Sequence, residues 1–387
     1  MIRIGAANRL EDLSVLAQAG AREVLLGSAD LSRYGTLPQD QLIIMAREAR
    51  QLGLKVVLEW DILMIQPEFE KAVTILNALP LNEFDAIRVQ DPGAFEWVLQ
   101  NLPAMKIQLN LETGNHNLEG VLTWCRYGGN NLERVMLSSQ LPASTLREWI
   151  QKIPTGVEVL GLGPVLILYT PRHLLTNQLP EAEAAEHLRA TASSEESFHS
   201  GFRVLENKHG TLVFLGKDYC LMELIEEIET LGLAALRLDL RLSENAETLK
   251  AMAGLFTVTS HVAAADILEN YPVETTRCFY KSNNTDKAFV RLKNENLTRR
   301  DENYLGEVVE AAKDSHLIIH VRARGQKLMA GQKLCLINPQ GEEHQVTVSS
   351  LQTIESQDAA EIAAGDFGVV PYVRLCPAKS TVYLVHQ

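Results

Sequence analysis

The first 165 residues repeat one unit: a short apolar run, a polar loop, then an amphipathic stretch. The strand candidates are Ile2–Ala6, Glu23–Gly27, Lys55–Glu59, Ala86–Val89, Lys106–Leu109, Arg134–Leu137 and Glu158–Gly161. Between them, Leu10–Ala19, Gln39–Leu52, Glu68–Leu79 and Ala143–Ile153 carry apolar residues at helical spacing. Gly20, Gly53 and Gly129 follow helical stretches, where a left-handed cap is expected. A helix between two strands returns the chain to the same end of the sheet, so the strands must run parallel. With an eighth strand at Ala235–Leu240, the units predict a closed (βα)8, TIM-like barrel. The open doubly wound sheet is the alternative, and no glycine-rich dinucleotide fingerprint supports it.

The seventh strand leads into GVEVLGLGPVLILYTPRHLLT, Gly156 to Thr176. Gly163 and Pro164 are expected to break that strand, and a turn then carries Arg172 and His173. An excursion from about 171 to 233 separates the seventh strand from the eighth. Its first part, Pro180–Ser200, reads as a helix or a mobile lid, and His209–Gly216 as a β-hairpin arm. The helix Leu221–Leu231 follows. After about residue 270 the alternation stops. Phe289–Leu292, Leu317–Val321, Lys333–Ile337, Glu343–Ser349, Phe367–Val370 and Thr381–His386 read as short strands with turn residues between. The expected domains are therefore a barrel over 1–270 and a small C-terminal β-barrel or sandwich over 271–387.

Composition narrows the function classes. The net charge of −13 disfavours wholesale binding to nucleic acid or an anionic membrane. No apolar run is long enough to span a bilayer, so no membrane partner is expected. The start, MIRIGAANRLEDL, lacks a basic segment followed by an apolar one, so no signal peptide is expected. Cys125, Cys220, Cys278, Cys335 and Cys376 are scattered and form no CxxC, which fits a reducing cytoplasm.

In such a barrel, polar side chains at the C-terminal ends of strands face the site. Asn8, Ser28, Glu59, Asp61, Arg88, Gln90, Asn110, Glu112, Ser139, Gln140, Arg172, His173, Asp239 and Arg241 hold those positions. The alternation of a strand puts Asn110 with Glu112 on one side, and Arg237, Asp239 and Arg241 on one side. Glu59, Glu112 and His173 are the candidates for proton transfer, the carboxylates because burying them is costly unless they are used or paired. Arg88, Asn110, Arg172, Asp239 and Arg241 are the candidates for substrate binding. Arg172 and Arg241 on one rim would clamp a carboxylate or phosphate. One basic stretch stands out: Arg277–Lys333 holds twelve Lys/Arg against seven Asp/Glu, with Phe279, Tyr280 and Phe289 interleaved. It is the one plausible RNA surface in an acidic chain.

Several segments resemble the collagenase-like peptidase family, peptidase family U32. Its signature reads roughly hGxxCxxxxGRCLLS, and Gly163, Arg172, Leu174, Leu175 and Thr176 fall on it. Leu166 and His173 stand where the family has cysteines. GTLVF at Gly210–Phe214, KDYC at Lys217–Cys220 and RLDLR at Arg237–Arg241 are similar to the family's GTY, KDLC and KIEGR segments. GAAN at Gly5–Asn8 and LLG at Leu25–Gly27 are weaker echoes. The resemblance spans roughly Met1–Val262. It implies a barrel, often with a C-terminal β-barrel, and activities that include peptidase chemistry and hydroxylation of RNA or quinone precursors, with prephenate as oxygen donor.

In the hydroxylating members, four cysteines hold an iron–sulfur cluster. Their positions here are Leu166, His173, a residue within 191–202 that is not cysteine, and Cys220. One thiolate cannot hold a cluster that needs four ligands, so no cofactor is expected. Zinc on His173, Cys220 and His199 or His209 is the weaker alternative. There is no GxSxG and no HExxH, and Glu342-Glu343-His344 sits on a predicted strand. Three readings stay open: a hydroxylating enzyme with a small dicarboxylate or RNA-linked substrate, a hydrolase, and a non-catalytic partner of a cluster-bearing paralogue.

Overall fold

The fold comes from a computed structural model that describes residues 1–113, 117–176, 187–193, 201–242, 246–281, 301–323, 325–339 and 341–385. The chain divides into two compact units, Met1–Asn283 and Asn284–Gln387.

In the first unit, β1 (Ile2–Ala7), β2 (Glu23–Gly27), β3 (Lys55–Trp60), β4 (Ala86–Val89), β5 (Lys106–Asn110), β6 (Leu132–Met136) and β7 (Gly156–Thr170) pair in parallel, in order. A later strand, Ala235–Leu238, pairs in parallel with both β1 and β7 and closes the barrel. The expected TIM-like architecture is present. Local chemistry starts the helices where the pattern requires. Asp91 caps the helix Pro92–Asn101 by accepting from the amides of Gly93 (2.7 Å) and Ala94 (3.1 Å), with Pro92 in its first turn. The outward residues of the strands pack under these helices in one large core that includes Val24, Leu26, Val56, Leu58, Ile87, Val89, Phe95 and Leu236.

The excursion differs from expectation. Gly163 and Pro164 do not end β7, which runs for fifteen residues. An antiparallel partner supplies the ladder that the barrel no longer provides. After β8 (His187–Ala192) and β9 (Phe202–Asn207), β10 (Gly210–Cys220) pairs with the outer half of β7, with Tyr219 opposite Gly163. Gly163 has φ +146°, and a side chain there would meet the Asp239 carbonyl oxygen at 2.6 Å. Only glycine lets the strand leave the barrel at this point. The described part of the supposed helix or lid is β8, antiparallel to β9 along its whole length, and the remainder lies outside the described residues. The expected helix at Leu221 is a single 3₁₀ turn (Met222–Leu224) followed by the short helix Ile225–Glu229. With the closing strand numbered β11 (Ala235–Leu238), β12 (Thr275–Thr276) pairs with β10, so the chain just past 270 still belongs to the first unit.

Among the described residues, the second unit is a six-stranded antiparallel sheet with a small two-stranded companion. Its core includes Leu305, Val308, Leu317, Ile319, Leu334, Leu336 and Val382. The strands expected near 317, 333, 343, 367 and 381 are present, whereas Phe289–Leu292 lies outside the described residues. The strand Tyr304–Ala312 has no counterpart in the sequence reading. A register shift between Val308 and Glu310 interrupts its alternation. No helix among the described residues is long and apolar enough to cross a membrane.

Candidate functional site

The residues that alternate with the outer core face the barrel interior. On one side they are small or apolar: Ile4, Ala6, Leu25, Val57, Ala86 and Ala235 form their own cluster. The rest of the interior is mainly charged, with the neutral amides of Gln108 and Asn110 among the charges. That departs from the branched aliphatic layers usual in this fold.

The charges form one continuous chain. At the N-terminal end, Lys55 Nζ meets Glu133 at 2.5 Å, and Arg134 pairs with Glu23. At mid-height, Glu158 receives Arg88 (2.7 Å), Arg134 (3.0 Å) and Arg237 (3.3 Å). Burial alone would raise the Glu158 pKa, but these guanidinium groups outweigh it and hold the carboxyl below its usual range. Arg237 also meets Asp239 (2.6 Å) and Glu112 (3.5 Å). At the C-terminal end, Arg241 pairs with Asp239 (2.8 Å) and with Glu59. Asp239 is likewise held low: its burial is overcome by Arg241 first and Arg237 second. Arg33, from the loop after β2, reaches in to Asp61 (2.8 Å) and Glu112 (2.9 Å). Its side chain is 1% exposed, and its Nη1 has no hydrogen-bond partner among the described residues.

An apolar cap lies over this end. Tyr34, Leu166, Tyr169, Leu212 and Phe214 pack together with Leu63, Leu205 and Leu242 against them. The arm of β7, β9 and β10 is tied down beside the cap. His209 Nε2 bonds the Ala29 carbonyl (2.7 Å), Lys208 pairs with Asp30 (2.5 Å), and Asn207 Nδ2 donates to the Arg33 carbonyl (3.0 Å). On the cap's outer side is a cavity of about 600 Å³, lined chiefly by Arg189, Thr191, Arg203, Leu205, Phe214 and Leu242. Its size suits a small ligand.

The barrel brings Glu59, Arg88, Asn110, Glu112, Asp239 and Arg241 together in its interior, all with buried side chains. Arg172 and His173 are elsewhere, exposed in the turn past the end of β7. His173 Nε2 bonds the Asn207 carbonyl at 3.0 Å. Arg172 does not share a clamp with Arg241, whose guanidinium is taken up by Asp239 and Glu59. That turn is fixed by Glu206. Its carboxylate accepts from the amides of Leu175 (2.7 Å) and Thr176 (2.8 Å) and from the hydroxyls of Thr176 and Thr211 (both 2.5 Å). Burial would raise Glu206, but these donors win and bring its pKa to about 2. Arg33 escaped the sequence reading because it lies in a loop, outside any periodic pattern. Gly35 beside it is the available signal: a side chain there would meet the Ser28 carbonyl oxygen at 2.0 Å, which marks a tightly folded loop.

The family's cluster positions do not fit a cluster here. Cys220 sits opposite Leu162, where β7 leaves the barrel, while His173 lies beyond Thr170 and Thr211 at the far end of the same ladder. That is roughly 25 Å of strand. Leu166 is buried between them in the apolar cap. Burial pushes the Cys220 thiol up to about 11, so it stays protonated at neutral pH. Among the described residues no three His, Cys, Asp or Glu side chains converge as a metal site. Of the basic stretch, 282–300 and Arg324 lie outside the described residues. In the described part, Arg277 pairs with Glu223, Arg322 with Glu307 and Lys327 with Glu361.

The profile of peptidase family U32 matches residues 8–300. Three curated relatives are similar at low identity. tRNA hydroxylation protein P1 of Bacillus subtilis is 24% identical over 179 residues, covering 46% of this chain and 42% of its own length. tRNA hydroxylation protein P of Haemophilus influenzae is 27% identical over 183 residues, covering 46% and 38%. tRNA hydroxylation protein P2 of Bacillus subtilis is 21% identical over 236 residues, covering 59% and 75%. The chain thus spans about two fifths of the length of the first two relatives.

Proposed function

The chain belongs to peptidase family U32, and we propose that it serves tRNA hydroxylation without a cluster of its own. In this reading it binds a small carboxylate at the C-terminal end of the barrel and works beside a cluster-bearing paralogue. The observation that carries the reading is the separation of Cys220 from His173 along β10. With those positions apart, this reading draws its redox chemistry from another chain. The relatives named for tRNA hydroxylation support the process, and Arg33 Nη1, a buried donor with no hydrogen-bond partner among the described residues, supports an oxygen ligand at the barrel end. The hydrolase alternative gains nothing from Cys220, a protonated thiol.

The test is deletion of the gene in its host, followed by digestion of total tRNA and mass spectrometry of the nucleosides. Hydroxylated nucleosides should fall at least tenfold and return with a plasmid copy. They should not appear when the purified chain alone is given tRNA and prephenate. Unchanged nucleosides in the deletion strain would sink the reading, and hydroxylation by the chain alone would replace it with the enzyme reading.

A further inference from the structure

Two aromatic rings separate the charged interior from the outside. The Cζ atoms of Arg33 and Arg241 lie 4.8 and 5.4 Å from the centroid of the Tyr34 ring. Phe214 packs against Tyr34, with ring centroids 5.9 Å apart. Phe214, Leu205 and Leu242 also line the 600 Å³ cavity, which is open to solvent. A ligand in that cavity is therefore separated by Phe214 and Tyr34 from two guanidinium groups whose side chains are each 1% exposed and each paired with two carboxylates.

The backbone carrying Tyr34 is fixed. Ser32 N donates to the Ser28 carbonyl (3.0 Å), Gly35 N to the Ser32 carbonyl (3.1 Å) and Ala29 N to the Leu37 carbonyl (2.9 Å). The Tyr34 side chain is held differently. Its amide donates to Ser32 Oγ at 3.3 Å, but its hydroxyl has no hydrogen-bond partner among the described residues. Packing and cation–π attraction hold the ring, and rotation about χ1 breaks no hydrogen bond. Beneath it, Arg33 Nη1 is buried without a partner among the described residues, a donor that an entering oxygen would satisfy.

We propose that Tyr34 and Phe214 form a gate between the outer cavity and an anion subsite on Arg33. Rotation of Tyr34 together with Phe214, the ring that lines the cavity, opens the interior and admits a small carboxylate to Arg33 Nη1. Their return excludes water and strengthens the contact in a low-dielectric enclosure. The inference rests on the carboxylate reading above for its ligand, though not for the gate itself.

Labelling with phenylglyoxal, an arginine-directed dicarbonyl, followed by peptide mass spectrometry tests it. In the wild-type protein, Arg33 and Arg241 should label at least tenfold more slowly than exposed Arg172, yet at a measurable rate while the protein stays folded. Tyr34→Ala should bring both close to the rate of Arg172. Tyr34→Phe should behave as wild type, because the hydroxyl carries no bond, and Tyr34→Leu serves if the alanine variant does not fold. Rates unchanged in both Tyr34→Ala and Tyr34→Leu would overturn the gate. So would a wild-type interior that stays unlabelled long after Arg172 is complete, since that describes a fixed plug. Prephenate added to Tyr34→Ala should slow the labelling of Arg33. Labelling that rises in the variant but ignores prephenate would keep the gate and overturn the carboxylate reading.

Discussion

Arg88 Nη2 and Glu158 Oε2 meet at 2.7 Å across the barrel interior, joining β4 to β7. Glu158 also contacts Arg134 and Arg237, which pair in turn with Glu23 and with Asp239 and Glu112, so three buried cations converge on it. Removing one partner of a buried pair leaves the other charge uncompensated, at about 3–5 kcal/mol. Glu158→Ala should lose at least that much in urea unfolding, and Glu158→Gln somewhat less. Adding Arg88→Met should restore part of the loss, and the double-mutant cycle measures the coupling. A Glu158→Ala protein as stable as wild type would mean the interior is hydrated.

Glu206 acts locally. Its replacement by alanine strands the Leu175 and Thr176 amides, which the carboxylate now accepts. The expected result is faster hydrogen exchange at those two amides, by about 1–3 kcal/mol of local opening, with little change in the barrel. Exchange that rises across the whole barrel would show that the arm and barrel unfold as one unit.

Acid should loosen the arm in a defined window. The Glu206 pKa is lowered on folding from 4.5 to about 2. A carboxyl lowered on folding lends stability that is full above its unfolded value and is lost as pH falls through its folded value. Protection of the Leu175 and Thr176 amides should therefore hold down to about pH 4.5 and decline towards about pH 2. In Glu206→Gln the decline over that window should vanish. Asp239 and Glu158 are lowered too, so the barrel's melting temperature should fall with pH in the same direction.

Strictly anaerobic purification should give a protein without stoichiometric iron by elemental analysis. Cys220→Ser should then leave the visible spectrum unchanged. Stoichiometric iron with broad absorbance would require ligands from Cys125, Cys278 or another chain, and would return the lead to the enzyme reading.

The barrel was legible because its strands are short and continuously apolar outside, as at Glu23–Gly27 and Ala86–Val89, which match the expected limits. The charged interior was partly legible too. In ALRLDLR, every second residue from Arg237 is charged, which is the mark of one strand face. What was hidden depends on partners distant in the chain. β7 continues through Gly163-Pro164 only because β10 pairs with it, and β8 emerges from an Ala- and Glu-rich stretch only because β9 is beside it. The arginine clamp failed as a pair because the turn holding Arg172 is carried past the barrel on the extended β7, whereas Arg241 remains at its mouth.

The charged interior also constrains how this barrel can diverge. An aliphatic interior tolerates one residue at a time, because neighbours of similar volume repack. Here Glu158, Arg88, Arg134 and Arg237 depend on one another, as do Arg241, Asp239 and Glu59. A change at one position is tolerable only with a matched change at another. Sequence drift should therefore cross these positions in linked sets, and a homologue that has lost one of these arginines should have lost its carboxylate as well.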